Sequence, residues 1–300
     1  MEFIRSNLIR DHASATEVFP VDLPTNPLSH LILAQSCCQA ADEATLAEML
    51  AFINSVQVTR LGVTILNLES EDLWALNAFL NRRPPIVTNS VTTATATRTI
   101  GLIVPFGRNV YDPDECYPAT KKGELTLRVD TTVIATSAIT GIYSVEAVEL
   151  MGATPTHFLK TTKIAVAAPG ATGDHDVELP TGNEIVAIGI RRTSGPAATT
   201  HVYGVQNARL LVDNKEFGYV SARAQCLDAD GGLRMGGLPS SMLLQQQVLP
   251  PMMFWMDFDP NGDGKWLVDT AGKSSVKLRL DMGVNEAVWI TLVERVAVAG

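Results

Sequence analysis

The chain has 300 residues, a formal net charge of −9 and only 18% charged side chains. That charge, with no run of Lys or Arg longer than two, excludes a coat for nucleic acid. The length covers one large or two medium domains at roughly 100–200 residues each, and no apolar run reaches the ~18 residues of a membrane span.

The N-terminal stretch places Phe3, Ile4, Leu8 and Ile9 at i and i+4 spacing. This predicts a short amphipathic helical arm over 1–20, able to dock on a neighbour or on a lipid surface. It lacks the continuous apolar core of a signal peptide, so synthesis in the cytoplasm is expected. Leu31–Ala34 reads as a buried strand. Ala44–Ile53 reads as a helix capped by Asp42. Val56–Leu68 is strand-like and broken by Gly62. Ser70-Glu71-Asp72 opens a second helix over Leu73–Leu80, stopped by Pro84-Pro85. The Thr-dense stretch Thr88–Thr99 predicts an extended loop or edge strand.

Ile100–Pro105, Leu125–Val129 and Ile142–Leu150 read as strands, with a loop over Tyr111–Lys122. Gly152–Pro155 is the best domain boundary, dividing 21–152 from 156–300. Further strands are predicted at Lys163–Ala167, Glu184–Ile190, Val202–Val205, Leu210–Val212 and Gly218–Ala222. Ser194-Gly195-Pro196 lies in a loop, and Ser240–Gln247 is a short helix ended by Pro250-Pro251. The last strands are Met253–Asp257, Lys265–Val268, Val276–Leu280 and Val288–Val293. Many short strands between Gly/Pro/Thr loops, with few short helices, make an all-β sandwich or barrel.

The second half repeats the first. Val21-Asp22-Leu23-Pro24-Thr25 returns as Val177-Glu178-Leu179-Pro180-Thr181, an offset of 177 − 21 = 156. Lys122–Asp130 returns as Lys273–Asp281, an offset of 273 − 122 = 151. A helix followed by Pro-Pro and a terminal strand holding Val-Glu (Val145-Glu146, Val293-Glu294) recur in the same order. A period this long implies duplicated domains and not a solenoid.

Motifs for chemistry are sparse. There is no G-x-S-x-G, H-E-x-x-H, phosphate loop or C-x-x-C, and the glycine cluster Asp230–Gly237 predicts a flexible inter-strand loop. Cys37, Cys38, Cys116 and Cys226 are expected as free thiols, and Cys37 and Cys38 point to opposite faces if they lie on a strand. His12, His30, His157, His175 and His201 are scattered. Asp174-His175-Asp176 suits a metal triplet or, with fewer assumptions, a solvated turn. One string, Asp257–Lys265, spaces oxygen-bearing side chains around a glycine turn. Asp257, Asp259, Asn261 and Asp263 suit a structural calcium ion, although either frame lacks the closing Glu at about position 12. The same letters suit a β-hairpin turn.

Two tandem β-rich halves with these repeats resemble the double-jelly-roll major capsid proteins of tailless icosahedral viruses, the adenovirus-hexon lineage. In size the chain is similar to those of lipid-containing bacteriophages. The resemblance implies two eight-stranded jelly rolls, a homotrimer of pseudo-hexameric outline, and a place in the virion shell. It further implies neighbouring trimers and minor capsid or vertex proteins as partners, and an N-terminal arm near an internal membrane. It implies no enzymatic role and no cofactor. The alternative is a carbohydrate- or receptor-binding β-sandwich. Such a site wants aromatic residues on loops, whereas Trp74, Trp255, Trp266 and Trp289 all fall in predicted helix or strand. A cupin-type enzyme would need an H-x-H pattern, which is absent.

Overall fold

Both repeated strings lie on neighbouring strands of one sheet, once in each half of the chain. In the computed structural model, described for residues 2–13, 15–38, 46–85, 87–88, 97–133, 140–193, 204–234 and 253–298, the first pair is β2 (Glu17–Asp22) and β8 (Leu125–Thr131). The second pair is β11 (Gly173–Leu179) and β18 (Val276–Met282). Val21 stands opposite Leu127 and Asp22 opposite Thr126. Val177 stands opposite Leu278 and Glu178 opposite Lys277. Adding the two sequence offsets to the first set of partners gives the second set, residue for residue. The echo therefore encodes a common register, and a one-residue slip would turn every core side chain outward.

The chain divides into two compact units, one built on Met1–Thr162 and the other on Lys163–Gly237 and Leu249–Val296. The first contains β1 (Glu2–Ala13), β2, β3 (Leu28–Cys38), β4 (Ile53–Arg60), β5 (Val63–Leu68), β6 (Val87–Thr88), β7 (Arg98–Pro105), β8 and β9 (Thr140–Met151). One sheet runs β1-β9-β3-β7-β6 and the other β2-β8-β4-β5. Setting aside the short β6, the orders are first-eighth-third-sixth and second-seventh-fourth-fifth, the wrapping of a jelly roll. Alternation fills the space between the sheets: Leu31, Leu33 and Cys37 on β3 and Leu125, Leu127 and Val129 on β8 are all buried.

In the second unit the strands are β11, β12 (Glu184–Arg192), β13 (Val205–Val212), β14 (Lys215–Glu216), β15 (Ala222–Arg223), β16 (Met253–Asp257), β17 (Val268–Asp269), β18 and β19 (Val288–Ala297), with β10 (His157–Val166) before them in the chain. One sheet runs β11-β18-β13-β14. In the other, β12 pairs with β16 and β19. These neighbours match those of the first unit, so the fold is all-β, a double jelly roll. Ile188, Ile190, Leu210, Phe254, Leu278 and Leu292 belong to its core.

Both units close the hairpin between the fourth and fifth strands with a two-residue turn. Arg60 pairs with Val63 across Leu61-Gly62, at φ 47° and 84°. Val212 pairs with Lys215 across Asp213-Asn214, at φ 51° and 63°. Two positive φ values in succession define a type I′ turn, which favours Asn, Asp and Gly. Leu61 is thus a costly choice, because a side chain in the left-handed region loses about 1–2 kcal/mol.

The described residues also hold three short helices: α1 (Leu46–Phe52), α2 (Ser70–Asn81) and α3 (Ala224–Arg234). α2 extends the predicted helix by three residues at its start and ends at Arg82 in the left-handed conformation. Asp42, Ser194-Gly195-Pro196, the Ser240–Gln247 helix, Pro250-Pro251, His201 and most of the Thr-dense stretch lie outside the described residues.

Several expectations are corrected. The N-terminal stretch is not a helical arm: Glu2–Ala13 is the first strand of the roll, paired antiparallel with β9 from Glu2↔Met151 to Ala13↔Ile142. The expected glycine-cluster loop is helical through Arg234, as part of α3. Val205 and Leu210–Val212, expected in separate strands, belong to one, Val205–Val212, and Val202 and Tyr203 lie outside the described residues. Only Ala222 of the expected Gly218–Ala222 strand is extended, paired with Ala208. The expected Lys265–Val268 strand reduces to β17, leaving Trp266 in a turn and 62% exposed.

Candidate functional site

The calcium-like string leaves the end of β16 with Asp257 and Asp259 both buried. Asp257 Oδ1 accepts the Asp259 N–H at 2.8 Å, and Asp257 Oδ2 accepts from Arg234 Nη1 at 2.5 Å. Asp259 Oδ1 accepts the Gly264 N–H at 2.8 Å, and the Asp259 carbonyl accepts the Gly262 N–H at 3.0 Å. Asp263 faces outward to Lys265: Oδ2 lies 2.8 Å from Nζ and Oδ1 accepts the Lys265 N–H at 3.2 Å. Each aspartate therefore caps amides of its own turn or binds a cation from the chain. Asn261 takes no part in these bonds. Among the described residues no three His, Cys, Asp or Glu side chains are grouped for a metal ion.

The residues that organise this loop were not singled out in the sequence. Arg234, in the last turn of α3, joins Asp257 to Asp230 at 2.9 Å, one helical turn back. Tyr219 uses its hydroxyl twice on the Asp257 backbone, accepting from N–H at 2.8 Å and donating to the carbonyl at 3.0 Å. The spacing Asp230-x-x-x-Arg234 was the available signal, obscured by Gly231-Gly232.

Asp174-His175-Asp176 is not a loop triplet. It lies within β11, where successive side chains alternate faces. Asp176 makes a two-pronged pair with Arg279 of β18, at 2.6 and 2.8 Å. The Arg279 guanidinium holds the Asp176 carboxyl below its usual range and is itself raised. Asp174 faces Arg209 at 4.0 Å. Cys37 and Cys38 lie on β3, and none of the four cysteines is in a disulfide. Burial, with Asp112 and Asp114 nearby, pushes the Cys116 thiol up to about 12, which makes it a poor nucleophile.

His30 is buried on β3, with Nδ1 2.9 Å from Ser29 Oγ and its ring edge-on to Tyr111. Burial, then the charge of Arg5, lowers it from 6.5 to about 4. Between those pH values the unfolded chain binds a proton that the folded chain refuses. Stability is therefore complete above the unfolded value and falls as pH drops from 6.5 toward 4. The shift corresponds to at most about 3 kcal/mol. We expect urea midpoints to fall over that window and His30→Asn to flatten the fall; an unchanged slope in the variant would assign the effect elsewhere.

Within each unit, the turn between the fourth and fifth strands is held by the same backbone bond. In the first, the Leu61 N–H donates to the Glu124 carbonyl at 3.0 Å. In the second, the Asp213 N–H donates to the Ser275 carbonyl at 2.9 Å, so Leu61 and Asp213 are equivalent positions. Asp213 uses its carboxylate to accept from the Ser274 N–H at 2.9 Å and from the Ser274 hydroxyl at 2.7 Å. Leu61 has no such use for its side chain, which is 74% exposed beside Val63 at 62%.

No family model matches the chain, and no curated protein matches it in sequence. Solved structures do match over its whole length. The atomic structure of Sulfolobus Turreted Icosahedral Virus aligns with a TM-score of 0.73 at 13% identity, covering 99% of this chain and 91% of that one. The major capsid protein of bacteriophage PM2 aligns at 0.67 with 14% identity, covering 99% and 98%. PBCV-1 VP54, fitted into a reconstruction of the virophage Sputnik, aligns at 0.63 with 10% identity, covering 98% and 94%. At these identities the likeness establishes the fold.

Proposed function

We propose that this chain is the major capsid protein of a tailless icosahedral virus, self-associating as a homotrimer of pseudo-hexameric outline. The observation that carries the reading is the duplication: two jelly rolls of one strand order and one register in a single chain. Two similar domains per chain, repeated three times about an axis, present six similar edges, which tile a surface. The full-length likeness to capsid proteins supports this reading. We place the division between the rolls in Gly152–Pro155, between the end of β9 and the start of β10. The first roll then includes β1, which pairs with β9 in its sheet.

The bonding of Asp257, Asp259 and Asp263 within their own loop favours a self-capped turn over a calcium site, although the turn is not that of a β-hairpin, because β16 and β17 both pair antiparallel with β12 and not with each other. No enzymatic role is proposed. Purified protein is expected to sediment as three copies of the 32.3 kDa chain, about 97 kDa, and to be a high-copy component of particles. A strict monomer at high concentration, absent from particles, would overturn the proposal.

A further inference from the structure

The tip of the β4–β5 hairpin combines three features that the fold does not require. First, Leu61 occupies a left-handed turn position that the equivalent turn gives to Asp213, and its side chain is left in solvent with that of Val63. A disfavoured backbone conformation kept at a tip is a starting point for a functional hypothesis. Second, Arg60 and the lysine-bearing Lys121–Glu124 turn stand beside the tip. Glu124 lies 3.6 Å from Arg60 and accepts the Lys121 N–H at 3.3 Å through its carboxylate, which holds the Lys121–Glu124 turn against the hairpin. Among the described residues neither the Lys121 nor the Lys122 ammonium has an ion-pair partner. Third, lysine is scarce and placed. Of the eight lysines in this acidic chain, Lys121 and Lys122 stand here, and Lys273 stands at the position of Lys122 in the second unit.

We propose that the Leu61–Val63 tip is a lipid-contact site, inserting its two aliphatic side chains between anionic headgroups while Arg60, Lys121 and Lys122 bind the phosphates. The charge pattern selects this occupant. Unpaired lysines on a turn are mobile point charges that suit a fluid layer of phosphates, whereas a pocket on a protein selects fixed, shaped contacts. Their attraction acts within a Debye length, so the net charge of −9 elsewhere on the chain does not cancel it. The site does not depend on the shell reading and adds to it a second kind of surface.

The test is co-sedimentation of the full chain with vesicles of phosphatidylglycerol in phosphatidylcholine, against phosphatidylcholine alone. Wild type is expected to bind the anionic vesicles and to be released by salt. Lys121→Glu with Lys122→Glu is expected to weaken binding about tenfold or more. Leu61→Asn separates the contact from the fold: it creates the preferred Asn-Gly turn, so the thermal midpoint should rise while vesicle binding falls roughly tenfold. Sedimentation velocity on the same samples reports the oligomer. Failure of wild type to bind, or wild-type binding by both variants, would overturn the proposal. So would loss of the oligomer in Leu61→Asn, which would make the tip a contact between copies.

Discussion

Replacing Glu115 by alanine is expected to destabilise the first unit by about 3–5 kcal/mol, the penalty for stranding the partner of a buried ion pair. Glu115 is 4% exposed and sits in the long segment between β7 and β8. Segments of that length without regular structure are uncommon unless something fixes them. Oε1 accepts the Arg108 N–H at 2.8 Å and Nε at 3.0 Å, and Oε2 accepts Nη2 at 2.7 Å. The carboxylate thus closes its own loop, holding both the backbone and the side chain of Arg108.

The neighbouring geometry leaves no slack. A Cβ added at Gly107 would lie 2.0 Å from the Glu115 carbonyl oxygen, a backbone atom that cannot step aside. Leu28 and Tyr117 exchange backbone bonds at 2.8 and 2.9 Å, and Phe106 packs on Tyr117 at 5.4 Å. Alanine at 115 leaves a guanidinium, 15% exposed, facing this packing without its carboxylate. Glu115→Gln retains an acceptor and should lose less. Urea unfolding of both variants measures the difference; a loss under about 1 kcal/mol for alanine would mean that water already compensates Arg108.

The division of the chain into two like halves was legible in the sequence because a shared register needs shared letters. Val21 and Val177 must both point inward opposite a leucine of the next strand, and the turn that follows must release the chain in the same direction. The first strand was not legible. β1 is an edge strand exposed at most positions, and register shifts at Asn7/Ile9 and Ile9/His12 break its alternation. What remained was an i, i+4 apolar pattern that mimics a helix. α3 was hidden by Gly231-Gly232, whose helix cost of about 1 kcal/mol each suggests a loop. Packing against β16 and the Asp230–Arg234–Asp257 bonds outweigh it. The aspartates of the 257–265 loop were legible, with two readings of their role. Oxygens spaced to wrap an ion are also spaced to cap the amides of a turn, and only coordinates separate the two. The lipid-contact tip was invisible for a related reason: Leu61 reads as one more apolar strand residue until the turn places it at the end of a hairpin.

The second large effect concerns the exposed edge of a sheet. Among the described residues, β6 pairs with the outer side of β7 at Thr99 and Ile100. Beyond that point the side-chain amide of Asn77, on α2, takes the place of a strand. Its Nδ2 donates to the Ile103 carbonyl at 2.7 Å, and its Oδ1 accepts the Ile103 N–H at 2.6 Å. A further bond from Nδ2 to the Leu73 carbonyl, at 2.8 Å, fixes the rotamer. Asn77→Ala strips both backbone groups of Ile103 in a half-buried place, each worth about 1–3 kcal/mol when fully buried, so a loss of about 2–4 kcal/mol is expected. Asn77→Asp should do no better, since its second oxygen would face the carbonyl it must replace a donor for. Hydrogen exchange separates this account from simple loss of packing. The Ile103 amide should lose protection first, while amides of β3 exchange at the global rate. A strand edge opened in this way also offers an unpaired template, so the alanine variant is expected to aggregate on mild heating. If Ile103 stays protected in Asn77→Ala, water or a backbone shift has taken over the edge, and the helix covers β7 by apolar contact alone.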